Sequence, residues 1–412
     1  MANVFQEIPI EQLCSRVTTG ATPLRSRSDF YEGGTTDWYK TGELKDWYLE
    51  PAEERITKKA LEETSVKLFP ANTVLMAMYG DGRTITSLGM LRAPATTNQA
   101  CSAMLVDEEK CDTRYFFYAL KGRRHLLLKV ASGGAQRNLS GKLIKEFKLP
   151  VPPLPVQRRI AGILSAYDEL MENSQRRIWL LEAMARALYR EWFVHFRFPG
   201  HEKHPRIVSP LGDIPQGWEV KKLGDLTAYL NRGLSPAYGD NGDSMVINQK
   251  CIRDQRLNLE PARRQTKPVT PDKRVRFGDV LINSTGVGTL GRVAQVYQDL
   301  GECTVDTHVT IARPNPETDL DFFGCTLLSH QETFDRLGIG ATGQTELSRT
   351  SIANVDLVVP PTRIQRRFGE FVRPMRAAAM THANQIQNLR RTRDLLLPRL
   401  LSGKVEPKTQ AA

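Results

Sequence analysis

The chain has 412 residues, 40% of them hydrophobic, and a formal net charge of +11. That length predicts two to four domains. No apolar run of about 18 residues is present, and MANVFQEIPIEQL lacks the basic-then-apolar pattern of a leader; a membrane span and export are not expected, and the expected compartment is the cytoplasm. The positive balance favours a polyanion partner, most simply nucleic acid.

In chain order, residues 1–150 mix short apolar runs with turns. TVLMAMYGDGR (Thr73 to Arg83) reads as a strand and a glycine turn. A proline box, VPPLPVQRRI, follows at Val151 to Ile160. Paired prolines hold the residue before them extended and cannot donate to a sheet, so a strand ends there and a helix begins. From the box onward, apolar residues recur at heptad spacing. One line is Ile160, Tyr167, Ser174, Leu181 and Leu188; the other is Leu164, Met171, Ile178, Ala185 and Trp192, with Ser174 as the fault. This predicts a coiled-coil seam on a helix roughly 50 Å long. Residues 199–217, rich in Pro, Gly and His, read as a linker.

Residues 218–358 read as a second β-rich unit. DVLINSTGVGTLGRVAQVY (Asp279 to Tyr297) is strand, glycine turn, strand. Gly286, Gly288 and Gly291 fit G-x-G-x-x-G, but a dinucleotide site needs a helix next, and RVAQVY is strand-like. The loop and Arg292 are better suited to nucleic-acid phosphates or to a plain hairpin. VPPTRIQRRF at Val359 to Phe368 then repeats the box, 208 positions after the first. A second helix follows, with one line of Phe368, Met375, His382, Leu389 and Leu396, and another of Ile364, Val372, Ala379, Ile386, Arg393 and Leu400. His382 and Arg393 interrupt this seam and suggest contact with a partner. Pro374 predicts a kink or a lead-in helix; Pro398 and Gly403 predict the end. Residues 359–405 form this second helical region and 406–412 a tail.

The repeat is wider than the box. Ser132–Arg159 laid over Gly340–Arg367 without a gap gives eleven identities in 28 positions. PIEQLCSRVTTGATP (from Pro9) echoes EVKKLGDLTAYLNRGLSP (from Glu219), and LFPANTVLM echoes VRFGDVLI. The chain therefore reads as domain, helix, domain, helix, a pseudo-two-fold duplication. The fold class expected is α+β: two small β-rich α/β domains separated by two long helices that pair as an antiparallel coiled coil. The alternative is two amphipathic helices packed on their own domains.

Catalytic signatures are missing. There is no phosphate-binding G-x-x-x-x-G-K-[ST], no Asn or Asp followed by Pro-Pro-aromatic as an adenine methyltransferase uses, no H-E-x-x-H and no G-x-S-x-G. Cys14, Cys101, Cys111, Cys251, Cys303 and Cys325 form no C-x-x-C pair, so reduced buried thiols are expected rather than a metal site. Candidate DNA-binding residues cluster near turns: Arg25, Arg27, Lys40, Thr41, Arg83 and Arg137 in the first unit; Arg232, Asn248, Lys250, Arg253, Arg292 and Arg349 in the second. Arg and Lys suit phosphates and guanine edges, Asn and Gln suit adenine.

LPVPPLPVQRRIAGILSAYDEL…LEAMARALYREWFVHF (Leu149 to Phe196) and VVPPTRIQRRF…QIQNLRRTRDLLLPRLLSGKV (Val358 to Val405) resemble the specificity (S) subunits of type I restriction-modification systems. KLFPANTVLMAMYG and TTNQACSAM resemble that family's first domain. The resemblance spans essentially the whole chain. It implies two target recognition domains, 1–150 and 218–358, each reading half of a split, asymmetric double-stranded DNA site. It implies that conserved helical regions, 151–198 and 359–405, set the gap between half-sites, of the order of 15 base pairs for a ~50 Å ruler, and dock two methyltransferase (M) subunits, with motor-nuclease (R) subunits able to join. S-adenosylmethionine, ATP and Mg²⁺ would belong to those partners, leaving this chain non-catalytic and without a cofactor. The competing readings are a protein-binding coiled-coil adaptor and a stand-alone DNA-modifying enzyme.

Overall fold

The computed structural model describes residues 5–80, 84–131, 137–338 and 346–405. The chain divides into two compact units: residues up to Ser174 with those from Gln385 onward, and Gln175–Asn384.

In the first unit the strands Cys14–Thr19, Cys101–Val106, Val74–Ala77 and Leu88–Met90 lie side by side in that order, all antiparallel. A smaller mixed sheet holds Arg55–Ile56, Thr36–Tyr39 and Thr96–Thr97, the last pair parallel. Val74–Ala77 is an unbroken apolar run because both of its faces are buried. Val74 and Met76 share one core with Tyr115 and Phe116 of the helix Thr113–Gly122, while Leu75 and Ala77 belong to another with Tyr39, Leu44 and Phe69.

The second unit repeats this plan. Thr227–Arg232, Val309–Pro314, Val280–Asn283 and Val293–Gln295 form the four-stranded sheet. Arg263–Gln265, Ser244–Ile247 and Cys303–Val305 form the mixed one, again with its last pair parallel. Individual contacts recur as well. Ile10 N–H donates to Phe147 O as Leu223 N–H donates to Val355 O, and Leu139 N–H to Met78 O as Leu347 N–H to Ser284 O. The segment read as a linker is itself folded. It carries the hairpin Arg206–Ser209/Gly212–Pro215 and sends Ile214 into the second core, beside Phe198 and Trp218.

Two long helices follow the proline boxes, Leu154–Tyr189 and Thr362–Leu401. Pro153 and Pro361 accept from the N–H groups of the first turns, Val156 and Gln157, Ile364 and Gln365. Each unit holds the start of one helix and the end of the other, an antiparallel arrangement. In the first unit Ile160, Ala161 and Leu164 share a core with Leu397, Leu400 and Leu401. In the second, Phe368 and Val372 share one with Ala185, Tyr189, Trp192 and Phe193. The seams thus differ from a free-standing coiled coil at their ends, where the heptad residues enter domain cores. Met171, Ser174 and Ile178 are buried between these ends; Tyr167, Leu181, Leu188, Met375, Ile386, Leu389 and Leu396 are half-buried. Ser174 is no fault, since a small hydroxyl residue is buried there.

Pro374 marks no separate lead-in helix, since it lies inside the second long helix, and that helix ends at Leu401, between Pro398 and Gly403, the latter with φ 68°, as the sequence predicts. One further expectation fails. Arg393 needs no outside partner: it is buried against Asp168 of the first long helix, which also accepts from Tyr118 Oη at 2.5 Å.

Candidate nucleic-acid interface

One end of the second unit's four-stranded sheet gathers polar loops. The register places Arg232 opposite Thr310 and Asn283 opposite Val309, so these strand ends are neighbours. The glycine loop leaves from Asn283. Its glycines have φ of 107°, 69° and 74° at Gly286, Gly288 and Gly291, conformations that side-chain-bearing residues avoid. Strand Val293–Gln295 follows directly, so no helix N-terminus faces the loop and the dinucleotide fingerprint is a coincidence of spacing.

Asn283 is fully buried and anchors this end. Its Nδ2 donates to Thr289 O in the glycine loop and to Gln249 O in the turn Gln249–Cys251, both at 3.0 Å. Thr285 Oγ1 meets His308 Nδ1 at 2.6 Å. Arg232 pairs with Glu346 at 2.8 Å and donates to Leu347 O at 3.0 Å; Arg349 donates to Asn231 Oδ1 at 2.7 Å. Arg292 folds back on Gly288 O at 2.7 Å. Asn248 caps its own turn, accepting from Lys250 N–H and donating to Pro261 O at 2.7 Å. Lys250 projects from that turn, exposed, and Arg253 stands on the adjoining hairpin Ile252–Arg253/Arg256–Leu257 with Asp254 at 3.7 Å. The structure therefore brings Arg232, Asn248, Lys250, Arg292 and Arg349 to one loop cluster, with Arg253 beside it. Lys250, Arg253 and Arg349 are its exposed cations; Asn248 and Arg292 serve the loops themselves.

In the first unit the equivalent turn is Thr41–Glu43, with Lys40 where the second unit has Asn248. The cations proposed there are tied down. Arg25 pairs with Glu54 and its guanidinium lies 4.7 Å from the rings of both Tyr31 and Trp38. Lys40 reaches Glu54 at 2.7 Å. Arg27 chelates Asp29 through two 2.7 Å bonds, reaches Glu63 and covers Phe30. Hydrogen bonds from Arg27 and Lys59 hold the Asp29 carboxyl well below the usual carboxylate range. A cation already matched to carboxylates offers less to a phosphate. Thr41 is half-buried at the start of its turn. Arg137 pairs through its backbone with Gly80, but its side chain, like the whole of Arg83, lies outside the described residues.

Sequence reasoning missed Asn283, which looked like one more strand residue. It also gave no role to Gln157 and Gln365, whose side chains point inward. Gln157 accepts from Asp112 N–H at 2.9 Å and donates to Pro152 O at 2.8 Å; Gln365 accepts from Asp319 N–H at 3.0 Å and donates to Pro360 O at 2.8 Å. Their identity in both copies was the available signal. Among the described residues, no group of three or more His, Cys, Asp or Glu could hold a metal ion, and no helix is long and apolar enough to cross a membrane.

Comparison with known proteins agrees with this architecture. The family model described as the type I restriction modification DNA specificity domain matches residues 4–183 and again 215–391. The chain belongs to that family, with the domain present twice. It is 25% identical over 402 residues to the MjaIX type I restriction enzyme specificity subunit of Methanocaldococcus jannaschii, covering 94% of this chain and 91% of that one. It is 28% identical over 158 residues to the EcoR124I/EcoR124II specificity subunit of Escherichia coli, covering 37% of this chain and 39% of that one. The crystal structure of a type I restriction-modification S subunit from M. genitalium superposes with a TM-score of 0.60 at 17% identity, covering 97% and 96% of the two chains. The fold is thus that of an S subunit.

Proposed function

We propose that this chain is the non-catalytic specificity subunit of a type I DNA adenine methyltransferase, with or without motor-nuclease subunits, and that it acts in the cytoplasm. Each unit reads one half of a bipartite double-stranded DNA site, and the two helices set the spacing. The observation that carries this reading is one hydrogen-bonded frame built twice with different side chains at its loop end. Lys40, Thr41 and Asn138 in the first unit stand where Asn248, Gln249 and Glu346 stand in the second, on matching backbone contacts. A shared frame with divergent loops suits two unlike half-sites. Exposed Trp179, Leu180 and Met184 on the first long helix and Phe371 on the second supply apolar surface for two methyltransferase subunits.

The test is selection of duplexes from a random pool by the chain purified with its methyltransferase partner. The expected result is a split motif with two different halves, whose binding weakens steeply with salt. Co-purification without any enriched motif would instead favour a protein-binding adaptor. Methyl transfer by the chain alone would favour a stand-alone enzyme.

A further inference from the structure

We propose that Gln157 and Gln365 are positioning residues: each locks its recognition unit onto its long helix at one angle, and together they make the complex selective for one distance between half-sites. This rests on the reading of the chain as a bipartite DNA-recognition subunit.

Gln157 and Gln365 sit in the first turns of the two long helices and are 1% and 3% exposed. Each amide bridges two parts of its unit. Its oxygen accepts the N–H of an aspartate that caps the buried core helix: Asp112, whose carboxylate accepts from Tyr115 N–H, and Asp319, whose carboxylate accepts from Asp321 and Phe322 N–H. Its nitrogen donates to the carbonyl of the first box proline, Pro152 or Pro360. The capping aspartates lie 45 and 46 residues earlier in the chain, so these are tertiary bonds and do not serve the helix itself.

The geometry demands this residue type. The joint offers a backbone donor and a buried proline carbonyl to a single neutral side chain, and at Gln157 the Lys110 carbonyl, at 3.4 Å, as a further acceptor. Among side chains of this reach, only a glutamine amide presents both an acceptor and a donor on one rigid plane. Glu would keep the acceptor, lose the donor and add a buried charge. One bond reaches the cap of the core helix and the other ties the same amide plane to the end of the strand that enters the box, so the first turn of the long helix is fixed to both at once. Both boxes retain Gln, the proline that accepts from it and the two arginines after it, while Leu154 and Pro155 give way to Thr362 and Arg363.

The experiment uses the full chain in complex with its methyltransferase partner. Duplexes carry the two selected half-sites separated by the preferred spacer or by one base pair more or less, and methylation is measured on each. Gln157→Leu and Gln365→Leu keep the size and remove the amide's bonds; Gln157→Glu and Gln365→Glu keep the acceptor, exchange the donor for a buried charge, and serve if a Leu variant does not fold. The wild type is expected to prefer one spacer. Each folded variant should lose about tenfold of that preference, roughly one net hydrogen bond's worth, while still selecting the same half-site sequences. A general structural defect would lower methylation on all spacers in proportion, and that result would overturn the proposal. So would an unchanged preference in variants that melt like the wild type. Absence of any bipartite preference in the wild type would overturn the underlying reading and the proposal with it.

Discussion

Asp321 lies in the first turn of the helix Leu320–Ser329, 1% exposed. Burial, and then the neighbouring Asp319 carboxylate, push it up to about 6 against the pull of Arg373. The folded state therefore holds this proton more tightly than the unfolded chain. The stability it confers is full below about pH 4 and is lost as pH rises through about 6. Asp321→Asn removes that dependence. The stability of the wild type relative to the variant should fall by on the order of 1 kcal/mol between pH 5 and pH 8, measured by denaturant melts. A difference that stays flat or grows with pH would contradict the assignment. Gly20 and Gly233 make a second case at this scale. A Cβ on Gly20 would strike the Thr97 carbonyl, and one on Gly233 the Val305 carbonyl, both backbone atoms that cannot step aside. Gly20→Ala or Gly233→Ala should destabilise its own unit by about 3 kcal/mol, visible as an early transition on melting. The echo of TTGATP in NRGLSP marked these glycines in the sequence; the parallel strand crossing behind them was not visible there.

At the level of elements, the heptad lines fixed which residues of the long helices turn inward, and the described structure buries most of them at least in part. The spacing did not reveal what they meet. A heptad count is one-dimensional, and Ile160, Leu164, Phe368 and Val372 are as useful to a domain core as to a helix pair. The same limit applies to Arg393. Its place on the seam was legible, but its partner Asp168 lies off the apolar lines, and Tyr118 belongs to another helix. The position equivalent to Arg393 on the first long helix is Ala185, buried with Tyr189 and Trp192. The helix ends are therefore unlike, one keyed by a buried ion pair and the other by aromatic rings. Arg393→Ala strands a buried carboxylate and should cost about 3–5 kcal/mol. Adding Asp168→Asn and replacing Arg393 by Met instead should recover most of that loss, because the amide still accepts from Tyr118. A double variant as unstable as Arg393→Ala would show that packing, rather than the pair, holds this end.

For the whole molecule, duplication was the most legible property, since identical residues sit at joints: Gln157 and Gln365, Leu139 and Leu347, Ser140 and Ser348. The reading residues were the least legible. Their place near turns marked Arg25, Arg27 and Lys40 as DNA-binding candidates, yet Glu54 and Glu63 meet them from other segments and Asp29 from two residues beyond Arg27. Among the described residues, Lys250 and Arg253 have no such carboxylate cage. A frame kept at its joints and varied at its loops predicts two half-sites of different sequence. The most direct measurement is a methylome: the chain is expressed with its methyltransferase partner in a methylation-free host, and N6-methyladenine is mapped by long-read sequencing, with and without the chain. The account predicts one split, asymmetric motif that is modified only when the chain is present. The same motif in both strains, or none despite verified partner expression, would contradict it.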